Sequence, residues 1–132
     1  MQNKDNNMDN IVDRSEGVYF RAEFYAGQLT TQLKKGLLSY CVLLACEELT
    51  YTSEVINRLN LAELHVAEGT VYPLLARLQK DGLLEHRWRE SYQGPPRKYY
   101  VVTDYGRAVR KVMAGNVRVL NSAIKTLERS KW

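Results

Sequence analysis

The stretch from Glu68 to Asp104 constrains the fold more than any other, because its apolar residues recur first with a helical period and then at every second position. In "EGTVYPLLARLQKDG" Val71, Leu74, Leu75 and Leu78 mark one helical face, and Asp81-Gly82 suits a left-handed C-cap. The next two runs, "LLEHRWRES" and "RKYYVVTD", alternate as strands do, and the turn-rich "SYQGPP" between them makes an antiparallel hairpin. Pro95 and Pro96 remove two backbone donors, which suits a loop or a strand edge and excludes a central strand. Pro73 inside the helix clashes with the carbonyl four residues back at a cost of about 3 kcal/mol. That residue is Gly69, so the expectation is an irregular opening turn and a rigid helix from Pro73 onward.

Upstream, "VYFRAEFYAGQLTTQL" carries Phe20, Phe24, Leu29 and Leu33 on a loose apolar face broken by Gly27, which predicts an N-terminal helix. Leu37, Leu38, Val42, Leu43, Leu44 and Leu49 predict a buried helix over roughly 34 to 49. A short helix over about 52 to 60 follows, with Thr50 or Thr52 as N-cap and Val55, Ile56 and Leu59 buried. A linker, 61 to 66, joins it to the helix with Pro73, and the two make a helix-turn-helix. Thr103 can cap a last helix from about 104 to 129, with Asp104 in its first turn. Its Met113, Val117, Leu120, Ile124 and Leu127 are spaced 4, 3, 4, 3, a heptad-like seam that suits an oligomer contact, although packing on the chain's own core would use the same spacing. The expected fold class is mainly α with a small β-hairpin: a winged helix-turn-helix plus N-terminal and C-terminal dimerisation helices. The expected divisions are a flexible tail over 1–17, the winged domain with its N-terminal helix over 18–103, and the dimerisation helix over 104–132.

A chain of 132 residues is one ordinary domain, too small to bury a deep catalytic cleft beside its core. Nineteen Lys and Arg against 15 Asp and Glu give +4, which permits a polyanionic partner without requiring one. The polar first 17 residues lack the apolar core of a signal peptide, and no run approaches the roughly 20 apolar residues of a membrane span. A cytoplasmic protein without membrane association is expected. Cys41 and Cys46 are about 140° apart on a helix and read as buried hydrophobes, and His65 with Glu68 falls short of a metal site. Neither a nucleophile with a base, a metal cluster nor a phosphate-cradling loop appears in the sequence, so neither catalysis nor a cofactor is expected.

"EGTVYPLLARLQKDGLLEHRW" and "GPPRKYYVVTDYG", with "QLKKGLLSYCVLLAC" and "YTSEV" before them, resemble the signature of the PadR-like transcriptional regulators over about residues 28 to 128. The single short C-terminal helix is similar to the smaller branch of that family. The resemblance implies a homodimer whose winged helices bind operator DNA, usually to repress, with an interface built from the C-terminal and N-terminal helices. Phe20 and Phe24 would then join the seam residues there. In some relatives an apolar cavity at that interface takes aromatic or drug-like effectors. Met113 and Val117 with Phe20, Phe24 or Tyr25 could line one, and they equally suit a fully packed dimer core.

By matching positions, Thr70 and Tyr72 fall where the recognition helix meets DNA, and Arg97 and Lys98 fall in the wing. Tyr51 matches the first tyrosine of the family's Tyr-Gly-Tyr-Glu pattern. Thr52 replaces its glycine, Ser53 its second tyrosine, and Ala67 a serine that often precedes Glu-Gly-Thr. Lys34, Lys35, Tyr51, Ser53, Arg77 and Lys98 are the expected phosphate ligands. Tyr72 could instead belong to the core. The recognition helix has no Asn, Gln or Arg in its opening turns, so specificity would lean on DNA shape and on two spaced half-sites. The competing reading is a winged-helix module for a protein or small-molecule partner with weak or no DNA binding.

Overall fold

The computed structural model describes residues 5–130. Its elements, in order, are α1 (Asp5–Ala45), β1 (Thr50–Tyr51), α2 (Thr52–Leu61), α3 (Glu68–Lys80), β2 (Leu84–Ser91), β3 (Gly94–Val102) and α4 (Asp104–Arg129). Two compact units divide inside α1, one through Gly36 and one from Leu37. The winged helix lies in the second.

In place of an N-terminal helix and a separate core helix there is a single helix, α1, continuous through Gly27. One glycine costs a helix roughly 1 kcal/mol, which weakens it without ending it. Of the tail expected over 1–17, residues 1–4 lie outside the described part, and the backbone from Asp5 onward is helical. The core helix also stops earlier than residue 49. The Cys46 carbonyl accepts from Val102 N at 2.9 Å, and Thr50 and Tyr51 pair with Tyr100 and Tyr99, so the sheet takes over the backbone that a longer helix would have used. Arg58 covers the exposed helix end, donating to the Ala45 carbonyl at 2.9 Å and to Thr50 Oγ1 at 3.1 Å.

The core gathers Leu38, Val42, Leu43 and Cys46 from α1 and the turn after it, Val55, Ile56 and Leu59 from α2, and Val71, Leu75 and Leu78 from α3. Leu84, Tyr100 and Val102 of the sheet close it. Leu44 and Leu49, expected inside, are exposed and half-buried. Neither Thr50 nor Thr52 caps α2: Thr50 Oγ1 donates to Glu48 O at 2.6 Å, Thr52 Oγ1 donates to Lys98 O at 2.9 Å, and the N-cap position is Tyr51. Both helices of the helix-turn-helix end in a left-handed residue. After α3 it is Gly82, at φ 83°, with Gly82 N bonded to Gln79 O and Leu83 N to Leu78 O. After α2 it is Glu63, at φ 64°, in the same bonding pattern, and His65 at φ 51° follows in the linker. Pro73 is accommodated in an unbroken α3 whose opening turn shares the Ala67 carbonyl between Thr70 N and Val71 N.

The sheet order is β1-β3-β2, all antiparallel. The strand holding both prolines is therefore the central one, contrary to expectation. The register resolves the conflict: Arg89 pairs with Arg97 and Ser91 with Gly94, so Pro95 and Pro96 together oppose Glu90 in a bulge, and β1 reaches only Tyr99 and Tyr100. The turn itself is Tyr92–Gln93, and no left-handed residue falls in it.

Thr103 joins three elements. Its hydroxyl donates to Gly82 O at 2.7 Å and accepts from Gly106 N at 3.0 Å, while its backbone N donates to Leu83 O at 3.1 Å. Gly106 is buried against the same turn: a Cβ there would meet Leu83 O at 2.2 Å and Val102 Cγ2 at 2.7 Å. Gly106 thus lets α4 approach the α3–β2 turn closely. Because the obstructing atom is backbone, Gly106→Ala is expected to cost about 3 kcal/mol in denaturant unfolding, the upper end for overpacking. Burial pushes the Cys46 thiol up to about 12 against a partial opposing effect of Arg58. Native Cys46 therefore keeps a proton that the unfolded chain releases near pH 9.0, so its contribution is complete below that pH and is lost as pH rises toward 12. Unfolding titrations should show that decline, and Cys46→Ala should remove it.

Candidate nucleic-acid interface

On α3 the buried residues Val71, Leu75 and Leu78 leave a solvent face of Gly69, Thr70, Tyr72, Pro73, Ala76, Arg77 and Lys80. Thr70 and Arg77 are seven apart and share one border of this face, since two helical turns take about 7 residues. Tyr72, 45% exposed, lies on the other border and is not core. The middle is Gly69, Pro73 and Ala76, small side chains that leave the backbone accessible over the first turns, with Lys80 at its C-terminal end. The N-cap Ala67 and the N-cap Tyr51 supply no side-chain acceptor, so the first N–H groups of α3 and α2 have no cap. Glu68 and Glu54 in those first turns temper the positive ends.

Tyr72 faces the wing across a groove of about 360 Å³ that Tyr51, Thr52, Arg97 and Lys98 also line, together with Ser91 and the segment from Gln93 to Pro96. No carboxylate lines it. The Thr52–Lys98 hydrogen bond fixes the start of α2 to the wing and so sets the width of this groove. Ser53 is exposed in the first turn of α2. Lys34, half-buried, and Lys35, exposed, lie on α1 within the first unit.

Strand alternation separates the two wing cations that adjacency in sequence suggested would act together. Lys98 turns to the inner face, where its Nζ lies 5.8 Å from the Trp88 ring centre and 5.2 Å from that of Tyr100. Arg97 turns outward over the ring of Tyr51 at 5.0 Å. Tyr51 stands 5.6 Å from Tyr99, and Arg89 covers Tyr99 at 5.3 Å. Such contacts contribute about 0.5–1 kcal/mol each at exposed sites, enough to bias a long side chain toward one posture. Tyr51 is thus a platform for Arg97 as well as a hydroxyl. Arg89 and the exposed Trp88 drew no reading from the sequence because, read along the chain, they look like ordinary solvent-facing residues. Their signal was two strand positions away, in the cross-strand neighbours.

The residues expected at a dimer seam are unevenly covered. On α4, Met113 and Val117 are half-buried, while Leu120, Ile124 and Leu127 are 60%, 53% and 61% exposed. On α1, Phe20 and Phe24 are 70% and 66% exposed. Among the described residues no group of three or more His, Cys, Asp or Glu could hold a metal ion, and no helix is long and apolar enough to cross a membrane.

A helix-turn-helix followed by a β-hairpin wing in a three-stranded sheet, with Arg77 and Lys80 on α3 and Arg87, Arg89, Arg97 and Lys98 on the hairpin, defines a winged-helix protein of the nucleic-acid-binding class. The profile of the transcriptional regulator PadR-like family matches residues 42–112. Solved structures agree. A PadR-like transcription factor from Bacteroides fragilis is 42% identical, with 76% of this chain and 98% of that one aligned at a TM-score of 0.64. A PadR family regulator from Eggerthella lenta is 27% identical over 85% and 99%, at 0.77, and a PadR-like regulator from Bacillus cereus is 33% identical over 76% and 99%, at 0.68. A search of curated proteins returned no match. The chain belongs to the PadR-like family of transcriptional regulators, which are DNA-binding regulators and not enzymes.

Proposed function

We infer that this protein is a cytoplasmic homodimeric repressor that binds a pseudo-palindromic operator in double-stranded DNA. The observation that carries this reading is the carboxylate-free groove between Tyr72 and the wing, with Arg97 held over Tyr51 at its edge. In this reading residues 18–103 bind DNA and residues 104–132 join the subunits. Thr70 and Tyr72 enter the major groove, Thr70 meeting a thymine methyl or a base edge. Arg97 approaches the backbone or the neighbouring minor groove from the wing. Ser53, Arg77 and Lys98 contact phosphates, and Lys34 and Lys35 add charge from α1. With Gly69, Pro73 and Ala76 at the centre of the recognition face, base-edge hydrogen bonds are few, and selectivity comes from DNA shape and from half-sites about 34–36 Å apart.

The exposed apolar side chains of α4 support the dimer, since Leu120, Ile124 and Leu127 share a stripe with Met113 and Val117. Phe20 and Phe24 add a second apolar surface on α1. An apolar or aromatic effector that releases DNA would meet Met113 and Val117, the same side chains that a fully packed dimer core would use.

Binding of the protein to duplex selected from a random-sequence pool tests the reading, measured at several salt concentrations with scrambled competitor. Arg97→Ala is expected to weaken binding about tenfold and to lower the log–log salt slope by about 0.9, with the dimer unchanged by sedimentation. Leu120→Asp is expected to yield monomers, because it places a charge in the seam. A dimer that survives this change refutes the assigned interface.

A further inference from the structure

The outer face of the sheet extends beyond the groove through Arg97 to Arg89, which does not line it. Arg89 and Arg97 are directly opposite each other in the β2–β3 register, where like charges repel. Neither has an acid within ion-pairing distance among the described residues, whereas their neighbour Arg87 pairs with Glu85 at 3.9 Å. Glu90 shares the hollow at the wing tip with Arg97 and Tyr99 but pairs with neither arginine. The side chains of Arg89 and Arg97 also make no hydrogen bond among the described residues. Two neighbouring tyrosines, their rings tilted at 44° to each other, brace the pair: Arg97 lies 5.0 Å over Tyr51, Tyr51 lies 5.6 Å from Tyr99, and Arg89 lies 5.3 Å over Tyr99. A guanidinium stacked on a ring keeps the N–H donors along its edge, which match a phosphate in bidentate fashion.

We propose that Arg89 and Arg97, braced on Tyr99 and Tyr51, form a clamp for a single backbone phosphate of bound DNA on the outer face of the wing. The bound phosphate relieves the repulsion that the bare pair carries. This rests on the DNA-binding reading above, and it adds a ligand, Arg89, together with a stoichiometry of two arginines to one phosphate.

The test uses the full chain and fluorescein-labelled duplex selected by the wild-type protein, followed by anisotropy across a salt series. Arg89→Ala is expected to weaken binding about tenfold and to lower the salt slope by about 0.9. Arg89→Lys, which keeps the charge and loses the planar fork, should recover only part of the affinity. The double variant Arg89→Ala with Arg97→Ala should lose far less than the product of the two single losses, because both arginines serve one phosphate. Arg87→Ala, which removes the same charge from the same strand, should change affinity much less. Wild-type affinity in Arg89→Ala, an equal loss in Arg87→Ala, or multiplicative losses in the double variant would each overturn the clamp while leaving the regulator reading standing. Failure of the wild-type chain to select any duplex would overturn both.

Discussion

One threonine hydroxyl holds the winged helix in register. Thr103 donates to the carbonyl of Gly82 and accepts from the amide of Gly106, so the end of α3, the exit of β3 and the start of α4 converge on a single oxygen. The contact needs the left-handed Gly82 on one side and the side-chain-free Gly106 on the other, and it leaves no room for a methyl group at Gly106. From that point the recognition helix leaves in one direction, the wing in a second and α4 in a third. The carboxylate of Glu47 reinforces this junction, bridging from the turn after α1 to Arg107 and Arg110 on α4, and the Arg110 hydrogen bond holds that carboxyl below its usual range.

Much of this was legible in the sequence because it is local. The capping of α4 by Thr103 and the Gly82 C-cap both follow from residues within a few positions of one another. What could not be read depends on pairing between distant segments. β1 is two residues long, too short to show any period, and exists only because β3 supplies its partners. Its formation ends α1 at Ala45 and turns the Thr52 hydroxyl away from the helix it was expected to cap and toward Lys98. The site followed the same rule. Thr70, Tyr72 and Arg97 lie on the solvent faces of α3 and the wing, as their motifs suggest, whereas the inward turn of Lys98 depends on strand phase and the facing of Arg89 and Arg97 on cross-strand register.

The charge pattern has a physical logic beyond its sum. Glu85 pairs with Arg87 near the base of the hairpin, and Glu47 with Arg107 and Arg110 at the junction. Toward the wing tip the arginines are left to aromatic rings instead of acids. A ring face orients a cation without neutralising it, so the long side chains are ordered while their field still extends into solvent.

The paired prolines of the wing have a consequence for solubility. Past Tyr99, β3 has a bare edge, because β1 is too short to cover it, and a bare edge is a template on which strands of other molecules can add. Pro95 and Pro96 leave two successive residues there without amide donors, and the bulge they form twists the edge away from the flat geometry that strand addition needs. The hairpin can thus project from the domain, unprotected by any neighbouring strand, without becoming a seed for fibrous self-association.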